Sequence, residues 1–260
     1  SGKSHFLKIL SYLLENDEVK GKKPVAFFTD KITDPVLYAD IERASRVECE
    51  TILFNIDSKS PLGMKTDKEA ILKVFLKVFY EHLSYYGDDF KVAELEKFLN
   101  REGVLEQFKT DFADIKGEPW EDRRSCFLFD EDAVVAALSK SAGMAENSAR
   151  NWFNQSQGPN LSIEQFAQEV KDYVDSKGEN FHLVFLADEV GQYIGDNSEL
   201  MLNLQTVAED LGTHCKGKVW VIVTSQEDID SVTKVKGNDF SKIQGRFRTR
   251  LSLSSASVDE

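Results

Sequence analysis

Leu183-Val-Phe-Leu-Ala-Asp188-Glu189 is the stretch on which the reading of this chain turns. An unbroken apolar run closed by two acids fits a strand buried on both faces, and such strands belong to parallel sheets covered by helices. Open sheets of that kind bind ligands beyond the carboxyl ends of their strands. The two acids stand at that end. Downstream, "ELMLNLQTVAEDLG" at 199–212 has a helical period and ends in Gly212, read as a C-terminal cap. "KVWVIVTSQ" at 218–226 is a second apolar strand ending in polar residues, and "LSLSS" at 251–255 reads as a last short strand. Upstream, "PVAFFTD" at 24–30 and "ETILFNID" at 50–57 also read as strands. Between them "DPVLYADIERASRV" at 34–47 reads as a helix, with Asp34 as cap and Pro35 at its first position. "DKEAILKVFLKVFYEHLSYY" at 67–86 reads as an amphipathic helix.

From about 88 to 177 the pattern is helical almost throughout, with loops near Gly117–Trp120 and Gln157–Asn160. Only Ser125–Phe129 offers a further strand. The expected organisation is therefore an α/β sheet domain in two parts, 1–87 and 178–260, interrupted by a helical insertion at 88–177. Trp120, Trp152 and the many Phe residues read as the core of that insertion, not as a ligand cage.

Composition narrows the function classes. The 260 residues are 41% hydrophobic and 30% charged, as expected of a globular protein able to bury a full core. Cys49, Cys126 and Cys215 stand singly, which fits reduced thiols and a cytoplasmic protein. His5, His82, His182 and His214 are equally scattered, so no metal cluster of the zinc type is expected. No apolar run reaches the roughly 18 residues of a membrane helix. The net charge of −13 argues against a general nucleic-acid coat. Against it stands Ser241–Arg250, where Lys242, Arg246, Arg248 and Arg250 carry no acid among them.

Gly2-Lys3-Ser4 matches the last three positions of the phosphate loop G-x-x-x-x-G-K-[ST]. His5–Leu14 then reads as the helix whose N-terminus faces the anion, with Phe6, Ile9, Leu10, Leu13 and Leu14 at helical spacing. In such a loop the lysine reaches the β and γ oxygens and the hydroxyl binds magnesium. Gly2, Lys3, Ser4 and His5 are thus expected at the nucleotide. The apolar strand ending in Asp188-Glu189 has the form of a Walker B element. Asp188 would hold magnesium, with Ser4, and Glu189 would act as general base on the attacking water.

Taken singly, each motif has an ordinary explanation: a surface lysine, a strand running into a turn, a solvated basic edge. Their succession resembles that of AAA+ ATPases. In that superfamily the strand after Walker B ends in a polar sensor of the γ-phosphate, here Thr224 with Ser225 as the alternative. An arginine finger precedes the last strand. Arg246 occupies that place, with Arg248 and Arg250 as alternatives, and a finger acts in trans on a neighbour's site.

Four longer stretches carry a closer resemblance: "SGKSHFLKILSYLLEN" at 1–16, "LADEVGQYIGDNSELMLNLQTVAEDLG" at 186–212, "VWVIVTSQEDID" at 219–230 and "DFSKIQGRFRTRLSLSS" at 239–255. Together they resemble the BrxC family, the large P-loop ATPases of BREX bacteriophage-exclusion systems. The resemblance spans the chain and is least distinctive at 88–177. It implies a fold of the P-loop AAA+ type, with ATP and magnesium as ligands. It also implies a bacterial cytoplasmic setting, self-association through the arginine finger, and other BREX proteins as partners. The first glycine of the phosphate loop, the central strand before it and the helical lid are absent from residues 1–260. This segment alone is therefore expected to bind nucleotide poorly and to fold marginally.

Three functions follow from the sequence. The first is an ATPase whose nucleotide state controls assembly in phage defence. The second is a nucleotide-gated scaffold with negligible turnover, docking through the helical insertion. The third, ranked last, is direct DNA engagement through Arg246–Arg250.

Overall fold

In the computed structural model the described residues are 2–60, 67–155, 162–225 and Phe247, Thr249, Leu251 and Leu253. Among them three strands form one parallel sheet in the order β1 (Cys49–Asn55), β2 (His182–Asp188), β3 (Val219–Val223). Asn55 lies opposite Asp188, and Ala187 opposite Val223. The central strand β2 is buried from Leu183 to Ala187, as its apolar run requires.

The two-residue period of the strands separates the faces of this sheet. One face carries Val184, Leu186 and Ile222, which pack against Leu7, Leu10 and Leu14 of helix α1 (Lys3–Glu15). On the other, Phe185 meets Phe75 of helix α4 (Ala70–His82) at 5.2 Å and Phe166 of helix α10 (Ile163–Lys177) at 6.3 Å between ring centroids. Helix α12 (Ser198–His214) joins this layer, and its Asn203 side chain accepts the Leu72 N–H at 3.0 Å. A helix on each face explains why β2 tolerates no polar residue before its end.

The chain divides into two compact units, residues 1–75 with 162–260, and residues 76–161. The division falls inside α4. The second unit holds helices α5 (Phe90–Arg101), α6 (Leu105–Lys116), α7 (Trp120–Arg123), α8 (Glu131–Ala142) and α9 (Glu146–Asn154). At its centre Trp120 stands edge-on to Phe108 and Phe112, each at 5.1 Å. The Trp120 indole Nε1 donates to Glu96 at 2.7 Å, which also accepts from the Tyr86 N–H at 2.6 Å and pairs with Arg124 at 3.1 Å. Those three donors keep a carboxylate that is 1% exposed satisfied inside an apolar core.

Several sequence expectations need correction. Pro24–Phe28 is a 3₁₀ turn, not a strand. Pro24 occupies its first helical position after an extended Lys23, and among the described residues no strand pairs with it. The segment Arg124–Phe129 is likewise 3₁₀ in character and kinked at Cys126. Gly212 does not cap its helix. The helix continues to His214 because Leu211 and Cys215, one turn apart and both buried, extend the apolar face past the glycine. Lys216 and Gly217 make the left-handed turn instead. Helix α10 belongs with the sheet unit, so the contacts place the second unit at 76–161 where the sequence suggested 88–177. Asp34 does cap helix α2 (Pro35–Ala44), accepting from Val36 N at 2.8 Å. The expected strand at 251–255 and the loop at 157–160 lie wholly or mainly outside the described residues. Among the described residues no helix is long and apolar enough to cross a membrane.

Candidate functional site

The parallel register lines up three polar residues at the carboxyl ends of the strands. Asn55 ends β1, Asp188 ends β2, and Thr224 follows β3 one step beyond the Ala187–Val223 pair. Thr224 N donates to Ala187 O at 3.0 Å and extends that ladder. By the two-residue alternation all three side chains fall on the face covered by α1.

Ser11 Oγ lies 2.6 Å from Thr51 Oγ1, and Glu15 accepts from the Thr51 hydroxyl at 2.6 Å. The C-terminal half of α1 thus sits beside Thr51 near the start of β1. Gly2 offers no side-chain cap, so the first backbone N–H groups of α1 have no side-chain acceptor. Lys3 and Ser4 are half-buried, while Gly2 and His5 are exposed. Among the described residues no hydrogen bond or ion pair links Lys3, Ser4 or His5 to the acids.

The acids are tightly positioned. The Thr224 hydroxyl donates to Asp188 Oδ1, and its oxygen accepts the Glu189 N–H at 3.0 Å. Glu189 N also lies 3.1 Å from Asp188 Oδ1. The second Asp188 oxygen accepts no hydrogen bond among the described residues. Glu189 adopts a left-handed backbone, φ 62°, at the start of the short helix α11 (Val190–Ile194). Asn55 Nδ2 donates to Glu189 Oε2 at 2.7 Å, so an uncharged side chain holds the carboxylate. Asn55 was not singled out in the sequence. It carries the same signal as Thr224, a polar residue closing an apolar strand. A second tie, Ser60 Oγ to Tyr193 OH at 2.7 Å, joins the end of the short helix α3 (Ile56–Lys59), which follows β1, to α11.

Gly191 fixes how closely these turns approach. Its N–H reaches Thr224 O at 3.4 Å, and a Cβ built on it would lie 1.9 Å from Ser225 Oγ and 3.2 Å from Ser225 Cα. Ser225, the alternative sensor residue, therefore packs against the backbone of α11, and Thr224 is the residue that reaches the acids. Gly191→Ala should displace the Thr224–Ser225 strand end and cost about 1–3 kcal/mol. A thermal melt reads this directly, and an unchanged midpoint would contradict the close packing.

The donor set suits a hydrated magnesium ion bound with a phosphate chain. Magnesium keeps most of its waters and takes only one or two protein oxygens, and the second Asp188 oxygen could supply one. No group of three or more His, Cys, Asp or Glu among the described residues could hold a metal alone. Thiolate chemistry has no support here. Burial pushes the Cys49 thiol up to about 12, with Glu15 and Glu50 adding to the effect, and Cys215 up to about 11. Arg246, Arg248 and Arg250, the candidates for a finger in trans, lie outside the described residues.

No family model matches the chain, and no solved structure matches it.

Proposed function

We propose that this chain is an ATP-binding, magnesium-dependent ATP-hydrolysing module of the P-loop AAA+ type. The observation that carries the reading is the row Asn55–Asp188–Thr224, with Glu189 beside it, on the sheet face that is covered by α1, the helix opened by Gly2-Lys3-Ser4. A helix N-terminus favours phosphate through its free N–H groups and dipole. Lys3 would neutralise the β and γ oxygens, while Ser4 and Asp188 would hold magnesium. Glu189 would take the proton of the attacking water, and Thr224 would sense the γ-phosphate from between the acids.

The order β1-β2-β3 agrees with the strands numbered 2-3-4 in the AAA+ order 5-1-4-3-2. A strand running into Gly2 would then pair with β3, whose residues Val219–Val223 are as apolar as those of a central strand. The resemblance to the BrxC family supports a cytoplasmic bacterial phage-defence protein in which nucleotide state controls assembly with other BREX components. Arg246 would complete a neighbour's site. A nucleotide-gated scaffold with negligible turnover is the second reading. It draws support from the Asn55–Glu189 bond, which occupies one oxygen of the carboxylate that hydrolysis would need.

ATP turnover measured against protein concentration, in a chain extended to a complete phosphate loop, tests the proposal. Specific activity should rise with concentration and vanish in Lys3→Ala and in Arg246→Ala. Tight ATP binding without turnover at any concentration would favour the scaffold.

A further inference from the structure

In the helical unit, Ile115, Leu128 and Phe129 are the large apolar side chains left exposed among the described residues, at 44%, 61% and 86%. Their sequence neighbours are linked. Lys116, next to Ile115, pairs with Asp130, next to Phe129, at 2.5 Å. The residues on either side of the Leu128-Phe129 pair are anchored. On one side Phe127 is buried against Phe153, with ring centroids 5.6 Å apart. On the other, the fully buried Asp130 takes a two-pronged hydrogen bond from Arg123, at 2.8 and 3.0 Å. Those partners hold the Asp130 carboxyl below its ordinary range, so the clamp stays charged at neutral pH.

The surroundings are acidic. From Asp114 to Asp132 the sequence has seven acids and three cations. All three cations are turned inward, Lys116 and Arg123 to Asp130, and Arg124 to the buried Glu96. On the rim the side chain of Glu118 is 53% exposed and reaches Arg123 only at 3.8 Å. Asp132 is 91% exposed and shares Arg150 with Glu131 and Glu146, and Glu121 meets Lys109 at 3.2 Å.

We propose that Leu128 and Phe129 are the apolar anchors of a docking surface for a Lys/Arg-rich amphipathic helix of a partner protein. Its apolar face would cover the two anchors, and its cations would meet Glu118, Asp132 and their neighbours. Backbone held on both sides of the anchors loses less freedom on binding than a free loop would, which favours affinity. The acidic rim selects a basic partner and repels anionic lipid. The inference is independent of the nucleotide site.

The test uses the whole chain and two labelled amphipathic peptides of about 14 residues, one of Leu and Lys and one of Leu and Glu. Fluorescence anisotropy should show binding of the Leu/Lys peptide alone, weakened by high salt. Leu128→Ser with Phe129→Ser should weaken it at least about tenfold, the size expected for loss of two anchors, with an unchanged thermal midpoint. Glu118→Gln with Asp132→Asn should weaken it less and remove most of the salt dependence. Equal binding by the double serine variant would overturn the proposal, because charge alone would then suffice. So would binding of the Leu/Glu peptide, or a concentration-dependent mass in sedimentation that the serine variant abolishes, which would put a second copy on the patch.

Discussion

Glu189→Gln is expected to lower ATP turnover by about 10²- to 10⁴-fold, the usual contribution of a positioned general base, while ATP binding is retained. The substitution suits the geometry. A glutamine oxygen can still accept from Asn55 Nδ2, which holds Glu189 Oε2 at 2.7 Å, so the turn keeps its shape and only the proton acceptor is lost. Asn55→Ala does the converse, leaving the acid and removing its tie. Turnover in that variant should match or exceed that of the parent. A single-turnover measurement with radiolabelled ATP reads both. If Glu189→Gln hydrolyses ATP at the parental rate, the carboxylate is not the base.

Trp120→Ala carries the largest expected cost to stability. Its side chain is fully buried between Phe108 and Phe112, and removal of so large a group costs about 3–5 kcal/mol. Loss of the indole N–H also leaves Glu96 with one donor fewer inside the core, worth about 1–3 kcal/mol more. A sum of that size is comparable with the whole stability of a typical domain, about 5–15 kcal/mol. The helical unit should lose its cooperative melt by near-ultraviolet circular dichroism. Trp120→Phe keeps most of the ring and drops only the N–H, so it should be the milder change. A melt of Trp120→Ala within a degree or two of the parent would show that the unit does not depend on this core.

The sequence revealed the sheet where the apolar runs are unbroken. Leu183–Ala187 and Val219–Val223 are apolar on both faces, and no helix of that length would bury all its sides. The run Pro24–Phe28 is equally apolar but too short for periodicity to separate a strand from a turn, and only Pro24 carried the distinguishing signal. Helix α10 was assigned to the insertion because helical period says nothing about which core a helix joins. Phe166 against Phe185 settles that point through space. Of the site, Asp188 and Thr224 were legible from strand ends. Asn55 was not, because its partner is 134 residues away and appears only once β1 and β2 are in register. The clamp of Arg123 on Asp130 was hidden for a related reason, since three cations among seven acids look like a solvated face until their directions are known.

The backbone at Glu189 shows what the chain gives up for this arrangement. A left-handed conformation costs an ordinary L-residue about 1–2 kcal/mol, and glycine, asparagine or aspartate would bear it more easily. A glutamate side chain held there implies a trade of stability for reach. Glycine or asparagine at position 189 should therefore steady the fold at the expense of the site.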